Sequence, residues 1–168
     1  MQIVTDTGMD LFLPAELMPE IDIHIVRHTI TLDGKTYFSG DTIDAAGLQE
    51  LLLRTPSFPI TSQPSAGDFA AMYREVAKTD PDILSIQMSS GLSGTLNAAK
   101  AGAEMVPEAN ITIVDTKTLC AALGWQVAAA GRALKAGWSK EKIIELVHQI
   151  GDATESIYTI DDLKYLIH

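Results

Sequence analysis

Cysteine is almost absent from this chain, since Cys120 is the one cysteine among 168 residues. A single thiol cannot form a disulfide within the chain, and it excludes a metal site built from several cysteines. Cys120 lies in an alanine-rich stretch that is expected to be helical, so we expect it to be a small buried side chain.

Positive charge is also scarce, because 12 lysines and arginines stand against 22 aspartates and glutamates, for a net charge of -10. Nucleic acids and anionic membrane surfaces bind basic faces, so this balance argues against both as partners. Charged residues make up only 20% of the chain and apolar residues 46%. These fractions favour a folded domain with a substantial core over a disordered chain.

Long apolar runs are missing as well. No stretch reaches the roughly 18 residues that a membrane helix needs, and the first residues lack the basic start of a signal peptide. We therefore expect no membrane span and a cytoplasmic location.

Hydrophobic patterning predicts short strands that alternate with helices from residue 60 onward. Extended segments are predicted at residues 2–5, 21–30, 83–88, 111–114 and 156–160. Helices are predicted at residues 96–105 and 118–135, with one more after Ser139 and a last one from Asp161. This alternation is typical of an α/β fold with a mostly parallel sheet and helices on both faces, whose ligands bind at the carboxyl edge of the strands.

Turn and cap residues mark several element boundaries. Asp33-Gly34 predicts a tight hairpin between residues 29–32 and residues 35–38. Asp44 is placed to cap a helix. Ser65 stands three residues before an aspartate, which is the spacing of a capping box, although aspartate replaces the usual glutamate.

Hydroxyl-bearing residues concentrate in two predicted loops. Residues 89–95, Ser-Ser-Gly-Leu-Ser-Gly-Thr, follow a predicted strand and precede a predicted helix. The free N–H groups and positive dipole end of that helix attract anions, and glycine lets the backbone approach a ligand closely. Residues 61–65, Thr-Ser-Gln-Pro-Ser, precede another helix. If the two loops adjoin, they form a pocket of neutral donors for one carboxylate or phosphate.

A plainer interpretation is that these hydroxyls cap helices and close turns. We favour capping for Ser65, whereas for Ser93 and Gly94 the two interpretations are equally supported. Asp115, at the end of a predicted strand, either orients the loop hydroxyls or closes its own turn, and we favour the turn.

Motifs of the common catalytic loops are missing. The glycine-rich loop has no Walker lysine and no G-x-G-x-x-G pattern, and it lacks the final glycine of a nucleophile elbow. His24, His28 and His148 lie outside any motif, so we interpret each as a surface histidine or one whose hydrogen bonds are satisfied. The spacing of Asp41 and Asp44 fits a turn and a cap better than a metal site.

Several short segments together resemble the DegV family of bacterial fatty-acid-binding proteins. They are Ile-Val-Thr-Asp-Thr at residues 3–7, Leu-Asp-Gly-Lys-Thr-Tyr at 32–37, the loops at 61–65 and 89–95, Val-Asp-Thr at 114–116 and Asp-Leu-Lys-Tyr-Leu at 162–166. The resemblance covers the whole chain, and two independent loops at this separation make it specific.

The resemblance implies a two-lobed α/β protein that holds a long-chain fatty acid in an apolar tunnel between its lobes. Carried over to this chain, Thr61 and Ser93 would hydrogen-bond the fatty-acid carboxylate, with Ser62 and the Gly94 N–H nearby. A partner fatty acid kinase would then phosphorylate that carboxylate for phospholipid synthesis. The carrier in this scheme is not an enzyme and uses neither a cofactor nor a metal.

The chain is shorter than the family pattern. Residues 1–155 correspond to an N-terminal lobe and residues 156–168 to the start of the segment that leads into a second lobe, which is largely absent. Without that lobe we expect an apolar face that is exposed or covered by a second copy in a homodimer. Two other functions stay open. One is an enzyme or binder for a small phosphorylated or carboxylated metabolite at the same loop, and the other is a dimerising fragment without a ligand.

Overall fold

The computed structural model describes residues 1–9 and 22–159, and these form seven β-strands and five α-helices. The strands are β1 (Gln2–Asp6), β2 (Ile23–Val26), β3 (Thr29–Leu32), β4 (Lys35–Phe38), β5 (Ile60–Ser62), β6 (Asp82–Gln87) and β7 (Asn110–Asp115). The helices are α1 (Ala45–Arg54), α2 (Ala66–Ala77), α3 (Thr95–Glu104), α4 (Cys120–Lys135) and α5 (Lys140–Ala153).

Four strands form a parallel sheet in the order β2-β1-β6-β7. Strand β6 lies in its interior and is buried from its second residue to its last, as expected for a near-continuous apolar run inside an α/β fold. Strands β1, β6 and β7 lie within one residue of their predicted positions at each end. The mostly parallel sheet is confirmed.

Helices pack on both faces of this sheet, as predicted. On one face, α2 and α3 contribute to a buried cluster that includes Val4, Phe69 and Ile83. On the other face, α4 and α5 contribute to a second cluster that includes Ile3 and Leu123. Neighbouring strand residues point to opposite faces, so Ile3 and Val4 belong to different clusters.

Strands β3, β4 and β5 form a separate antiparallel sheet in the order β4-β3-β5. The predicted hairpin is confirmed, because Asp33 and Gly34 join β3 to β4 with φ angles of 50 and 75 degrees. Both angles lie in the left-handed region that a type I′ turn requires. Strand β5 was not predicted, since Thr61 and Ser62 were assigned to a loop. Its 3 residues are too few to show an alternating pattern, and pairing with β3 makes the segment a strand.

Both predicted helix caps are confirmed. The Asp44 carboxylate accepts a hydrogen bond from the Gly47 N–H at 2.7 Å. The Ser65 hydroxyl accepts from the Asp68 N–H at 3.1 Å, and the Asp68 carboxylate accepts from the Ser65 N–H at 2.8 Å. This reciprocal pair completes the capping box at the start of α2.

Two local predictions are wrong. The strand predicted at residues 156–160 is not formed over its described part, because residues 154–159 have no regular secondary structure. Ile157 is 82% exposed, so the segment has no buried face to stabilise a strand. Cys120 is half-buried rather than buried, because it is the first residue of α4 and lies at the helix end.

The helix predicted from Asp161 lies outside the described residues, which end at residue 159. Among the helices within the described ranges, none is long and apolar enough to cross a membrane.

Candidate functional site

Loops that follow β1, β6 and β7 meet at the carboxyl edge of the parallel sheet. Backbone hydrogen bonds join them. The Ser89 N–H donates to the Thr118 carbonyl at 2.8 Å, and the Cys120 N–H donates to the Gly8 carbonyl at 2.7 Å. The glycine-rich loop therefore lies at the sheet edge where the sequence predicts it.

A buried carboxylate holds two of these loops together. Asp6 ends β1, and its side chain accepts hydrogen bonds from the Gly8 N–H at 2.6 Å and the Met88 N–H at 2.9 Å. A side chain on Gly8 would not fit, because its Cβ would lie 2.6 Å from an Asp6 oxygen and 3.0 Å from the Met88 sulfur. Burial raises the pKa of Asp6, against the lowering effects of the two N–H donors and of His28.

A cavity of about 470 Å³ lies between these loops and the small antiparallel sheet. Its lining consists of Thr7, Gly8, His28, Ile30, Ser39, Thr61, Gln63, Met88, Leu92, Ser93 and Gly94. The two hydroxyl-rich segments that the sequence analysis selected therefore border one space.

Three of the four predicted ligand-binding residues line this cavity. Thr61 lies on β5 opposite Ile30 of β3, on the face of the small sheet that borders the cavity. Ser93 and Gly94 come from the glycine-rich loop. Ser62 is not among the lining residues, because it follows Thr61 on a strand and points to the opposite face.

The two loops approach each other closely at Gly94. A Cβ at Gly94 would lie 2.5 Å from the Gln63 Oε1 atom and 2.8 Å from its Nε2 atom. Gly94 is also the N-cap of α3. The cavity therefore adjoins the positive end of a helix dipole.

A chain of hydrogen bonds runs from Thr7 through His28 and Thr95 to Ser93. The Thr7 hydroxyl oxygen lies 2.9 Å from His28 Nδ1, and His28 Nε2 lies 3.0 Å from the Thr95 hydroxyl oxygen. The Thr95 hydroxyl oxygen in turn lies 2.8 Å from Ser93 Oγ. Thr95, the link between His28 and Ser93, is fully buried, whereas Thr7, His28 and Ser93 border the cavity.

His28 is the candidate that reasoning from the sequence missed. The interpretation of a satisfied histidine holds, because both ring nitrogens have hydroxyl partners, but His28 also lines the cavity. Burial lowers the pKa of His28, while the charge of Asp6 raises it in opposition. The one available signal was position, since His28 follows β2, which pairs with β1. His24 lies elsewhere, with a ring nitrogen 3.2 Å from Gln2 Oε1.

Asp115 supports the glycine-rich loop from the β7 side. Its carboxylate accepts hydrogen bonds from the Ser90 hydroxyl at 2.5 Å and from Lys117 Nζ at 2.6 Å. It also accepts from the Lys117 backbone N–H at 3.2 Å. Asp115 therefore closes its own turn, which was the favoured interpretation, and also orients a loop hydroxyl, which was the alternative. Burial raises the pKa of Asp115, but the Lys117 and Ser90 donors outweigh burial and lower the pKa to about 2.

The cavity offers neutral hydrogen-bond donors beside apolar side chains. The Thr61 and Ser93 hydroxyls and the Gln63 amide can each donate to a carboxylate or phosphate, while Ile30 and Met88 border the same space. In the part of the chain that the structure describes, no three His, Cys, Asp or Glu side chains are grouped to hold a metal ion.

A cavity at the carboxyl ends of parallel strands is where α/β domains generally bind their ligands, so the fold is that of an α/β domain with its cavity at the usual position. Residues 1–168 match the family model described as "Uncharacterised protein, DegV family". The chain belongs to the DegV family, which confirms the resemblance found in its sequence.

Relatives in this family are longer than the present chain. The DegV domain-containing protein YejH of Lactococcus lactis is 35% identical over 166 residues, which cover 99% of this chain and 58% of the relative. A structure described as fatty acid binding of a DegV family protein from Thermus thermophilus has a TM-score of 0.79 and 30% identity to this chain, and the match covers 90% of this chain and 53% of that protein. DegV from Bacillus subtilis, a fatty acid binding protein, gives the same TM-score of 0.79 at 30% identity. The chain thus spans about half the length of the relatives it matches.

Proposed function

We propose that this chain binds a long-chain fatty acid and holds its carboxylate between Thr61 and Ser93. The observation that carries the proposal is that these two side chains, from separate segments, line one cavity together with the apolar Met88 and Leu92. The relatives from T. thermophilus and B. subtilis are associated with fatty acid binding. A structure from Eubacterium ventriosum, 26% identical to this chain, is a stearic-acid-binding protein.

In this proposal the Thr61 and Ser93 hydroxyls donate to the carboxylate oxygens, and the Gly94 N–H adds a donor at the start of α3. Ser62 makes no direct contact with the ligand, because it points to the other face of β5. A fatty acid suits the cavity better than a sugar phosphate because Met88 and Leu92 favour an apolar tail.

We also propose that a partner fatty acid kinase phosphorylates the carboxylate of the bound fatty acid. The chain itself acts as a carrier rather than an enzyme. Within residues 1–9 and 22–159, the Ser93 hydroxyl contacts Thr95 and no histidine nitrogen, so no general base in these ranges directly contacts Ser93 to activate it as a nucleophile.

The test compares oleate binding to the chain and to two serine variants by isothermal titration calorimetry. Ser93→Ala removes a neutral hydrogen bond and should weaken binding by about 0.5–1.5 kcal/mol, which is about 2- to 12-fold in Kd. Ser62→Ala is the matched control, since Ser62 is next to Thr61 on β5 but faces the other side of the strand and does not line the cavity. Its Kd should stay within about twofold of that of the unmodified chain.

Oleyl alcohol separates recognition of the carboxylate from recognition of the acyl chain. Its affinity should change less than that of oleate when Ser93 is replaced, because the charged group is missing. The proposal is contradicted if the unmodified chain does not bind oleate, or if the Ser62 and Ser93 variants lose oleate affinity equally.

A second candidate function is an enzyme that acts on a small phosphorylated or carboxylated metabolite. The observation in its favour is that His28 lines the same cavity as Ser93. Both nitrogens of His28 are engaged with threonine hydroxyls, which leaves no ring nitrogen free to react. A covalent adduct on His28, found by mass spectrometry after incubation with a small carbonyl compound or acyl phosphate, would favour this second function over the carrier.

A further inference from the structure

Each hydrogen bond in the series that ends at Ser93 has one donor and one acceptor. The number of protons available in the series determines which atom donates in each of them. The Thr95 hydroxyl has one proton and two near neighbours, His28 Nε2 at 3.0 Å and Ser93 Oγ at 2.8 Å. It can donate to only one of them and must accept from the other. The protonation of His28 Nε2 therefore decides which way the Thr95 hydroxyl points.

If Nε2 carries a proton, His28 donates to Thr95 and Thr95 donates to Ser93. The Ser93 oxygen already accepts from the Thr95 backbone N–H at 3.2 Å, so both of its lone pairs are then occupied. The Ser93 proton is left to point into the cavity, where it can donate to a carboxylate.

If Nε2 carries no proton, the donor and the acceptor of each of these hydrogen bonds are exchanged. Thr95 donates to His28, and Ser93 donates to Thr95. Ser93 then presents only an oxygen lone pair to the cavity, which would repel a carboxylate. A serine at this position is thus a carboxylate donor only with one of the two neutral tautomers of His28.

The Thr7 end of the chain favours the tautomer that carries the proton on Nε2. The Thr7 oxygen accepts a hydrogen bond from the His28 backbone N–H at 2.9 Å, and it lies 2.9 Å from His28 Nδ1. Among the described residues, Nδ1 is the one hydrogen-bond acceptor within reach of the Thr7 proton, because the other contact of this oxygen is with an N–H donor. Donation of the Thr7 proton to Nδ1 leaves the ring proton on Nε2. Burial of the imidazole also disfavours the charged form, against the opposing charge of Asp6.

We propose that His28 is a positioning residue that, as its Nε2–H tautomer, orients the Ser93 hydroxyl proton toward the cavity through Thr95. The carboxylate as ligand rests on the proposed function. The tautomer of His28 and the donor order of the hydrogen bonds are properties of the free protein, so they can be measured without a ligand.

The first test is the tautomer itself. Long-range ¹H–¹⁵N NMR spectra of the uniformly labelled chain, recorded well above the pKa of the ring, distinguish the two neutral forms of a histidine. The signals of His28 are identified by their loss in His28→Gln. We expect the pattern of a ring protonated at Nε2 and unprotonated at Nδ1. A ring protonated at Nδ1 would overturn the proposal, whether or not oleate binds.

The second test is a double-mutant cycle on oleate affinity. Thr95→Val removes the hydroxyl that links His28 to Ser93, and it should raise the Kd for oleate about 2- to 12-fold, like loss of the Ser93 hydroxyl. Thr95→Ser keeps the hydroxyl and should restore affinity to within about twofold. In the Ser93→Ala background, Thr95→Val should have no further effect, because Thr95 acts through Ser93.

The outcomes of the cycle separate this proposal from the proposed function. Additive effects of Thr95→Val and Ser93→Ala would overturn the positioning role while leaving carboxylate binding intact. Absence of oleate binding in the unmodified chain would contradict the proposed function alone, and the tautomer measurement would still decide the orientation of Ser93. Circular dichroism confirms that each variant is folded, and if Thr95→Val is not, the tautomer measurement alone decides.

Discussion

At the scale of single residues, Asp115 connects the glycine-rich loop to the end of β7 by contacts that acid can remove. Burial alone would raise the pKa of Asp115, but donors from Lys117 and Ser90 lower it from 3.8 to about 2. A carboxyl group with a depressed pKa stabilises the fold above its unfolded pKa and loses that contribution as pH falls through its folded pKa. Asp115 therefore stabilises the loop at neutral pH, and its contribution disappears between pH 3.8 and about 2.

We expect Asp115→Asn to lower the free energy of unfolding at neutral pH by about 1 kcal/mol, a modest value because Lys117 is exposed. The difference from the unmodified chain should shrink as pH falls from 3.8 to about 2. Urea unfolding at a series of pH values measures it. Lys117→Met should reproduce part of the loss over the same range. A difference that does not change with pH would contradict this assignment.

The sequence selected site residues where a short motif places the chemistry on neighbouring positions. Thr61, Ser93 and Gly94 were selected because hydroxyls and glycines recur in two loops, and all three line one cavity. Ser62 was selected together with Thr61 as a hydroxyl of the same predicted loop, but both residues lie on strand β5, where adjacent side chains face opposite sides. His28 could not be selected, because its two side-chain partners lie 21 and 67 residues away along the chain. Only the tertiary fold brings them together.

At the scale of elements, helices α2 and α3 approach closely because Gly102 has no side chain. A Cβ on Gly102 would lie 2.6 Å from the Phe69 Cβ and 2.8 Å from the Ala66 carbonyl oxygen. Both atoms are fixed to the backbone of α2. Neither can move aside unless the two helices separate.

Gly102→Ala should therefore lower the free energy of unfolding by about 1–3 kcal/mol through overpacking, even though alanine favours helices over glycine. Gly67→Ala is the matched control, since Gly67 is an exposed glycine of α2 whose Cβ would come no closer than 3.5 Å to any other atom. That change should stabilise by about 0.5–1 kcal/mol. Urea denaturation of both variants measures the two changes in the free energy of unfolding. Stabilisation by both substitutions would show that the helices are free to separate.

The helices and strands that were predicted correctly are those whose stability depends mainly on residues near them in the sequence. Strand β6 and helices α3 and α4 have long patterned sequences and lie where expected, and the cap residues mark where α1 and α2 begin. Strand β5 escaped prediction because its hydrogen-bonding partner, β3, lies about 30 residues earlier in the chain. At residues 156–159 a strand was predicted but is not formed. β-branched and aromatic residues suggested it, but the segment has no buried face.

At the scale of the whole molecule, one parallel sheet separates two cores, and its edge carries the cavity. The glycine-rich loop is held from both sides, by Asp115 at the end of β7 and by His28 after β2 through Thr95. The position of Ser93 thus depends on strands at opposite edges of the sheet order β2-β1-β6-β7. The cavity keeps its geometry only if the sheet and both helix layers behave as one unit.

One substitution in each core tests this dependence. Ile83 is fully buried in the cluster that contains α2 and α3, and Ile143 is fully buried in the cluster that contains α4 and α5. Ile83→Val and Ile143→Val each remove one methylene and should each lower the free energy of unfolding by about 0.5–1.5 kcal/mol. Because the two sites share no cluster, the double variant should show the sum to within about 0.5 kcal/mol.

Two spectroscopic probes together show whether the two cores unfold in one transition. Trp125 and Trp138 are the two tryptophans of the chain, and they lie on α4 and just before α5, so fluorescence reports on that side alone. Far-UV circular dichroism reports on all helices. If the shared sheet couples the layers, Ile83→Val shifts the fluorescence transition as much as the dichroism transition, although no tryptophan lies in its cluster. A fluorescence transition that stays in place would mean that the α4 and α5 layer unfolds independently, and the glycine-rich loop between the layers would then lack the fixed geometry that the carboxylate site requires.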